Sequence, residues 1–302
     1  MPDSMTRPTP HLDKLEAALV NPKCGDADRG LLRRAKQRYT TWLAAMNDLH
    51  STGNARVADM VRLLNEYKDY LEVELIAQKG SDFLKRQKGQ LKLDNSVMEE
   101  FLPHLLRSEI VERLEGTSFV TGPQQAFMSL AFMPSGFRSL GGRPSVVIKS
   151  KDQDFAIATP IHYQFSSSGD FPEGGTAGGE FALAVFAAET KVNLDKTMFQ
   201  EAAGTAQRLK QGCPVARYFV LVEYLDMTPE DPRLTEIDNV YLLRKAKRLP
   251  FEQRSVAASV ERQHKDFPIS ADVVWAFTRQ IQGFVDSAWY DADEALRRGS
   301  FV

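Results

Sequence analysis

Apolar and polar residues follow two different periods along this chain. From about Leu12 to Arg113, apolar residues recur every three to four positions with charged residues between them, which is the spacing of helices with one buried face. Residues 26–49 and 57–76 are the clearest examples. The pattern predicts an N-terminal helical region over residues 1–115, whose last helix, at about 95–107, packs on the rest of the protein.

A capping signal marks the start of that last helix. Asn95 or Ser96 can begin it, and Ser96 with Glu99 matches the Ser-x-x-Glu capping box, in which each side chain bonds the backbone of the other residue. In this interpretation Glu99 is a cap and Glu100 is a surface charge. The alternative is that one of these two carboxylates lies at the edge of a metal site.

Beyond Gly116 the pattern changes to short runs of β-branched and aromatic residues, which are typical of strands. The segment 116–144 is punctuated by Gly, Pro and Ser and carries no predicted strand. Helical patterns at 193–210 and 271–289 flank the later strands. Residues 116–302 therefore predict an α/β fold with a central mixed β-sheet flanked by helices. The predicted strands are 146–148, 155–165, 181–189, 218–224 and 240–243.

Composition limits the class of protein. The 302 residues are 43% hydrophobic, and no apolar run approaches the roughly 20 residues that span a membrane, so we expect a cytoplasmic protein. Cys24 and Cys213 lie far apart and predict neither a disulfide framework nor a zinc site. A net charge of −2 argues against nucleic-acid binding by bulk positive charge, but leaves a local basic cleft open.

Charged residues interrupt two of the apolar strands. Asp154 lies at the start of one apolar strand, and a second long apolar strand ends at Glu189 and Lys191. Because side chains alternate along a strand, Glu189 and Lys191 share one face. Charges at the end of an apolar strand are costly unless they pair or coordinate something. A simple Glu189–Lys191 ion pair is the alternative to a functional site, and Asp152 is the alternative to Asp154.

Two carboxylates beside an ammonium are suited to hydrolysis of a phosphodiester. Carboxylate oxygens can hold one or two Mg²⁺ ions, which keep several waters and neutralise charge on the phosphoryl oxygens. The ammonium can orient or deprotonate the attacking water and stabilise the developing charge. Asp154, Glu189 and Lys191 supply these groups.

The order of these motifs resembles the core of the PD-(D/E)XK nucleases. Asp154-Phe-Ala-Ile is followed by Glu189-Thr-Lys, by a helix beginning at Asn193, and by a strand beginning at Tyr218. The flanking segments 90–103 and 235–245 resemble those of type II restriction endonucleases, and together the matches cover roughly residues 83–247. One difference is that Gln153 stands where the family name implies proline.

The resemblance implies Mg²⁺-dependent cleavage of double-stranded DNA, with metal ligation by Asp154 and Glu189 and water activation or charge stabilisation by Lys191. It also implies that Glu99 or Glu100 faces the site. We expect a homodimer, because a two-fold dimer matches a two-fold DNA sequence, and a separate cognate methyltransferase. The alternative activity is a repair or recombination nuclease of the same kind, and the alternative of another class is a non-catalytic DNA-binding protein.

Three segments are candidates for contacts with DNA. Arg138 and Arg143 lie in a Gly-rich segment and can bond guanine edges bidentately. The Gly- and Ser-rich segment 166–179 connects the two catalytic strands. A basic run follows the last predicted strand and suits phosphate binding, although such runs are commonly solvated surfaces. Its members are Arg244, Lys245, Lys247 and Arg248.

Overall fold

The structure is a computed structural model that describes residues 8–85, 93–114, 118–287 and 291–301. The N-terminal part of the chain forms helices, and the sheet follows them. The predicted helices at 26–49 and 57–76 are both present, and the second changes from α-helix to π-helix at Asp69. The elements are α1 (Pro10–Val20), α2 (Asp26–Asn47), α3 (Gly53–Lys68), a π-helix (Asp69–Lys79), α4 (Leu93–Phe101) and a 3-10 helix (Leu102–Leu106).

The first three helices each bury one face, as the periodicity predicts, whereas all nine residues of α4 are buried. In α2 the buried positions recur every three to four residues, so they form one apolar stripe. Trp42 from this stripe stacks on Tyr67 of α3, with ring centroids 5.3 Å apart. No helix in the described ranges is long and apolar enough to cross a membrane.

Five strands form one sheet in the order β1-β2-β3-β4-β5. β1, β2 and β3 are successive antiparallel neighbours, whereas β4 and β5 run parallel to β3. The prediction of a central mixed sheet flanked by helices is confirmed. The strands are β1 (Val120–Phe132), β2 (Val146–Ser166), β3 (Thr176–Leu194), β4 (Arg217–Leu225) and β5 (Asn239–Lys247).

β1 lies in the segment where no strand was predicted. Pro123 has no N–H to donate, and the β1–β2 register shifts between Gly122 and Gln124, so the strand bulges where proline can be tolerated. Gly122 has a φ of 106°, a conformation that favours glycine. The turn-forming residues in this segment therefore mark an irregular strand, not a loop.

β2 is one strand of 21 residues where two were predicted. Its first half pairs with β1 and its second half with β3. Ala126 of β1 also lies opposite Ala182 of β3, so β1 pairs with both β2 and β3. The loops 133–145 and 167–175 meet at the same end, where Ser167 Oγ donates to the carbonyl of Gly141 at 3.1 Å.

Helices cover both faces of the sheet beyond this point. Neighbouring residues on β4 point to opposite faces: the Tyr218 ring faces α5 (Lys196–Gly212), and Phe219 packs on Phe277 of α7 (Ala271–Val285) with ring centroids 5.8 Å apart. α5 begins at Lys196 because the Asp195 carboxylate caps it, accepting from the Met198 backbone N–H at 2.8 Å. The remaining helices are α6 (Ala257–Asp266) and α8 (Ala292–Arg298).

A buried cluster of charges joins the N-terminal helices to the sheet. Lys68 Nζ lies 2.6 Å from Glu72 Oε1 and 2.8 Å from Glu223 Oε1 on β4. Arg244 on β5 places its Nε 2.8 Å from Glu223 Oε2. All four side chains are almost fully buried, and two cations balance two carboxylates. Such a cluster persists only while it stays complete, because removing one member leaves an unpaired buried charge.

The prediction that Arg244 contacts DNA is wrong. Its guanidinium is buried, donates to Glu223 and to the Phe267 carbonyl, and lies over the Tyr224 ring. The reason is an irregularity in β5: the register with β4 shifts between Leu242 and Ala246 and Lys245 has a φ of 51°, so Arg244 turns inward while Lys245 and Lys247 are exposed.

Replacing Lys68 with Met is expected to lower the free energy of unfolding by about 3–5 kcal/mol, because Glu72 and Glu223 would stay buried without the cation that they share. Urea unfolding followed by circular dichroism measures this loss. Lys79→Met is the matched control, since it removes the lysine of an exposed pair with Glu74 and should cost less than about 1 kcal/mol. Equal losses in the two variants would contradict the prediction.

Candidate active site

β2 and β3 bring the two predicted carboxylates and the predicted lysine together. The strands are antiparallel with Phe155 opposite Ala188, which places Asp154 beside Glu189 at the next position. Lys191 lies on the same face as Glu189, and its Nζ is 2.7 Å from Glu189 Oε1. The three residues form one cluster, and the ion pair that was the alternative explanation is part of that cluster.

The backbone of β3 holds Asp154 in place. Asp154 Oδ2 accepts hydrogen bonds from the Thr190 backbone N–H at 2.8 Å and from Thr190 Oγ1 at 3.1 Å. Burial, followed by the negative charge of Glu99, raises the pKa of the Asp154 carboxyl above its ordinary value. Asp152, the alternative candidate, is exposed. Asp154 is therefore the aspartate of this cluster.

Glu189 is ionised and held from two sides. Burial raises its pKa, but Lys191 and a hydrogen bond that Tyr218 Oη donates to Glu189 Oε2 at 2.9 Å bring the pKa below its ordinary value. For Lys191, burial lowers the pKa, but Glu189 and then Asp154 raise it above its ordinary value. The side chains of Glu189 and Lys191 are thus both charged at neutral pH.

Helix α4 sends its two consecutive glutamates in different directions. Glu100 Oε1 accepts from the Tyr39 hydroxyl, and Glu100 Oε2 accepts from the His11 backbone N–H at 3.0 Å. Its carboxylate therefore faces α1 and α2. Glu99 accepts from Lys14 of α1 at 3.1 Å and from Asn95 Nδ2 at 3.2 Å, and Asn95 lies on the side of α4 that faces β3.

Asn95 connects Glu99 to the cluster. Its Nδ2 also lies 3.1 Å from Oγ1 of Thr190, the residue that holds Asp154. Of the two glutamates, Glu99 is the one whose charge acts on Asp154. The structure thus distinguishes two neighbours that the sequence leaves equivalent.

The predicted capping box does not form. The described part of α4 already begins at Leu93, so Ser96 and Glu99 lie inside the helix. Ser96 Oγ donates to the Leu93 carbonyl at 3.2 Å and contacts His11 Nδ1 at 2.9 Å. Contacts between helices therefore engage the side chains that a helix start would use.

The donors at the cluster fit a magnesium ion that keeps most of its water. Within the described residues, no three or more His, Cys, Asp or Glu side chains form a preformed metal-binding site. Mg²⁺ is usually bound by one or two carboxylates and several waters. Asp154 and Glu189 can supply the two carboxylates. Asn95 Oδ1 is buried without a hydrogen-bond partner, and such an acceptor can receive a bond from a water on the ion.

The predicted DNA contacts are not part of this cluster. Arg138 and Arg143 are exposed on the loop 133–145, and Lys245 and Lys247 are exposed on β5. Arg248 is half-buried, with Nη1 2.8 Å from Asp226 Oδ2. Within the segment 166–179, residues 167–175 connect β2 to β3, and the remaining residues belong to the two strands.

Sequence reasoning missed the polar residues that hold the cluster. A buried tyrosine on an apolar strand normally needs a hydrogen-bond partner, so Tyr218 carried a usable signal. Lys14 contacts Glu99 across 85 positions of the chain, and no local pattern links them. The missed residues are Lys14, Asn95, Thr190 and Tyr218.

Comparisons with known proteins identify a family and a similar fold. A family model described as Bpu10I restriction endonuclease matches residues 90–301. No curated protein matches the chain. Among solved structures, a chain of the native BbvCI A2B2 tetramer is similar, with a TM-score of 0.64 and 18% identity over 93% of this chain and 98% of that chain. At that identity the likeness shows the fold.

Replacing Tyr218 with Phe is expected to raise the pKa of Glu189, because the variant removes a hydrogen bond donated to the ionised carboxylate. A titration of side-chain carboxyl ¹³C signals by NMR measures the change. Tyr224→Phe is the matched control on the same strand, since the Tyr224 hydroxyl is buried without a described hydrogen-bond partner. The prediction fails if both variants leave the pKa of Glu189 where it is in the unsubstituted protein.

Proposed function

Because this chain belongs to the Bpu10I restriction endonuclease family, we propose that it is a type II enzyme making Mg²⁺-dependent double-strand cuts at a specific short DNA sequence. The observation that carries the proposal is the cluster of Asp154, Glu189 and Lys191 where β2 and β3 meet. Two carboxylates and a cation on one face suit phosphodiester hydrolysis, and a protein that only binds DNA has no use for carboxylates near phosphate.

Each residue of the cluster has a separate role in this proposal. Asp154 and Glu189 hold Mg²⁺, which when bound neutralises charge on the phosphoryl oxygens and lowers the pKa of water. Thr190 and Tyr218 hold the two carboxylates in position through the hydrogen bonds they donate. Fixed donors of this kind keep the carboxylates from reorienting during the reaction.

Lys191 acts as a cation in this scheme. Glu189 raises the pKa of Lys191 in spite of burial, so its amine is protonated at neutral pH. A protonated amine can donate a hydrogen bond to the attacking water and offset negative charge as it develops on the phosphate. We therefore favour water orientation and charge stabilisation over proton abstraction by Lys191.

We propose that the exposed basic residues outside the cluster contact DNA. Arg138 and Arg143 are the candidates for base edges, and Lys245, Lys247 and Arg248 are the candidates for phosphates. The exposure of the first four supports this assignment. Arg248 would have to exchange Asp226 for a phosphate.

We propose that residues 1–115 form a helical region and residues 116–302 the nuclease core. All five strands lie in the second range. One hydrophobic core cluster nevertheless includes residues from both ranges, and α4 carries Asn95 and Glu99 to the site. The first region is therefore proposed as a structural neighbour of the core, not as an independent module.

For the assembly we propose a homodimer, acting beside a separate methyltransferase that protects the same DNA sequence. The similar BbvCI structure is titled an A2B2 tetramer, which makes association with a second kind of chain the alternative. Light scattering of the purified chain distinguishes the two, since a homodimer has twice the 33.9 kDa chain mass with no partner added.

Wild-type protein is expected to cut phage or plasmid DNA into discrete fragments with Mg²⁺ and to leave it intact with EDTA. Lys191→Ala is expected to slow cleavage by about 10²-fold or more, because it removes a cation aimed at developing charge. Gel electrophoresis of a time course measures both effects. Lys196→Ala is the control, since its lysine is 69% exposed and pairs with Glu230.

Other outcomes point to the other candidate activities. A Mg²⁺-dependent smear, or cutting limited to branched DNA, would indicate a repair or recombination nuclease. No cutting of several diverse DNAs would indicate a non-catalytic DNA-binding protein. Equal activity of Lys191→Ala and Lys196→Ala would refute the role of Lys191.

The double variant Arg138→Gln/Arg143→Gln is expected to bind DNA with less sequence preference, because these two arginines are proposed to contact base edges. Each lost phosphate contact lowers the slope of log K against log[salt] by about 0.9, whereas a lost base contact removes sequence preference instead. Fluorescence anisotropy over a series of NaCl concentrations measures both. Arg297→Gln/Arg298→Gln, at the end of α8, is the charge-matched control, and equal effects would remove the loop from the DNA interface.

A further inference from the structure

We propose that Lys14, on helix α1, is a positioning residue of the active site that holds the Glu99 carboxylate and limits how strongly the site attracts a divalent cation. This inference rests on the proposed Mg²⁺ site. Lys14 lies outside the residues matched by the family model, so the family comparison assigns it no role.

The contact between Lys14 and Glu99 is close and poorly exposed. Lys14 Nζ lies 3.1 Å from Glu99 Oε2 and 3.3 Å from Oε1. The side chains are 27% and 8% exposed, whereas the nearby Lys36–Glu16 pair is 45% and 51% exposed. Charges removed from water are screened less than surface charges. The Lys14–Glu99 pair therefore has a stronger electrostatic effect on neighbouring charged groups than the Lys36–Glu16 pair has.

Helix α1 is fixed so that Lys14 reaches Glu99. One turn earlier, the His11 backbone donates to Glu100, and the His11 ring lies between Ser96 Oγ at 2.9 Å and Tyr67 Oη at 2.7 Å. Residues three apart on a helix share a face, so the anchored His11 directs Lys14 toward α4. Rotating α1 about its axis to move Lys14 away from Glu99 would break these buried hydrogen bonds of His11.

A chain of hydrogen bonds leads from this pair to the metal site. Glu99 accepts from Asn95, Asn95 lies within hydrogen-bond distance of Thr190, and Thr190 donates to Asp154. The charge of Glu99 also acts on Asp154 directly. A change at Lys14 therefore reaches Asp154 through both contact and charge.

The charge balance of the site gives the direction of the effect. The carboxylates of the site are Glu99, Asp154, Glu189 and Glu201, and its amines are Lys14, Lys151 and Lys191, so the carboxylates outnumber the amines by one. Without Lys14, the carboxylates outnumber the amines by two, and the hydrogen bond from Asn95 is the described contact that still holds Glu99. Both changes favour a divalent cation. Lys14 thus keeps Glu99 from becoming an additional ligand.

The test is calorimetric titration of the full-length protein with Ca²⁺, a cation that prefers oxygen ligands. Lys14→Met is expected to lower the Ca²⁺ dissociation constant by about tenfold, and Glu99→Gln to raise it. The variant with both changes is expected to return close to the wild-type value, because the two charges disappear together. Lys36→Met is the matched control and should leave the constant unchanged.

Two further variants keep the result interpretable. Lys14→Arg retains the charge and should keep the wild-type affinity, and Lys14→Gln should follow Lys14→Met if the methionine variant folds poorly. Unchanged or weaker Ca²⁺ binding by the charge-removing variants would overturn the role of Lys14 alone. A wild-type protein that binds no Ca²⁺ would overturn the proposed metal site and this inference with it.

Discussion

The antiparallel register of β2 against β3 is the constraint on which the candidate active site depends. Phe155 lies opposite Ala188, and this pairing sets Asp154 beside Glu189. A shift of one residue would turn every side chain of one strand to the other face, separating the carboxylates. Buried apolar side chains on both strands prevent such a shift, with Phe155 and Phe186 both packed against Phe277 of α7.

Two groups of charges in this protein differ in their balance, and the difference separates structure from function. Around Lys68, two buried cations meet two buried carboxylates, and His264 adds contacts with Glu72 and Asp69, so positive and negative groups balance. At Asp154 the carboxylates outnumber the cations, and one buried acceptor on Asn95 has no donor. An excess of negative charge in a partly buried site is costly unless a cation completes it.

Sequence reasoning succeeded where the relevant residues are close along the chain. Strand alternation placed Glu189 with Lys191, and apolar periodicity found the helices. It failed at β1, because Pro123 marks a bulge instead of a loop, and at Arg244, because β5 continues past its apolar run. It also left Glu99 and Glu100 equivalent, since only contacts with α1 and α2 separate them.

The N-terminal helices are more than a support for the nuclease core. His11 and Tyr39 both bond Glu100, which fixes the rotation of α4 about its axis. Residues next to each other on a helix point about 100° apart, so holding Glu100 toward α1 and α2 directs Glu99 toward β3. The orientation of a side chain beside the candidate metal site is thus determined by residues from the first forty positions of the chain.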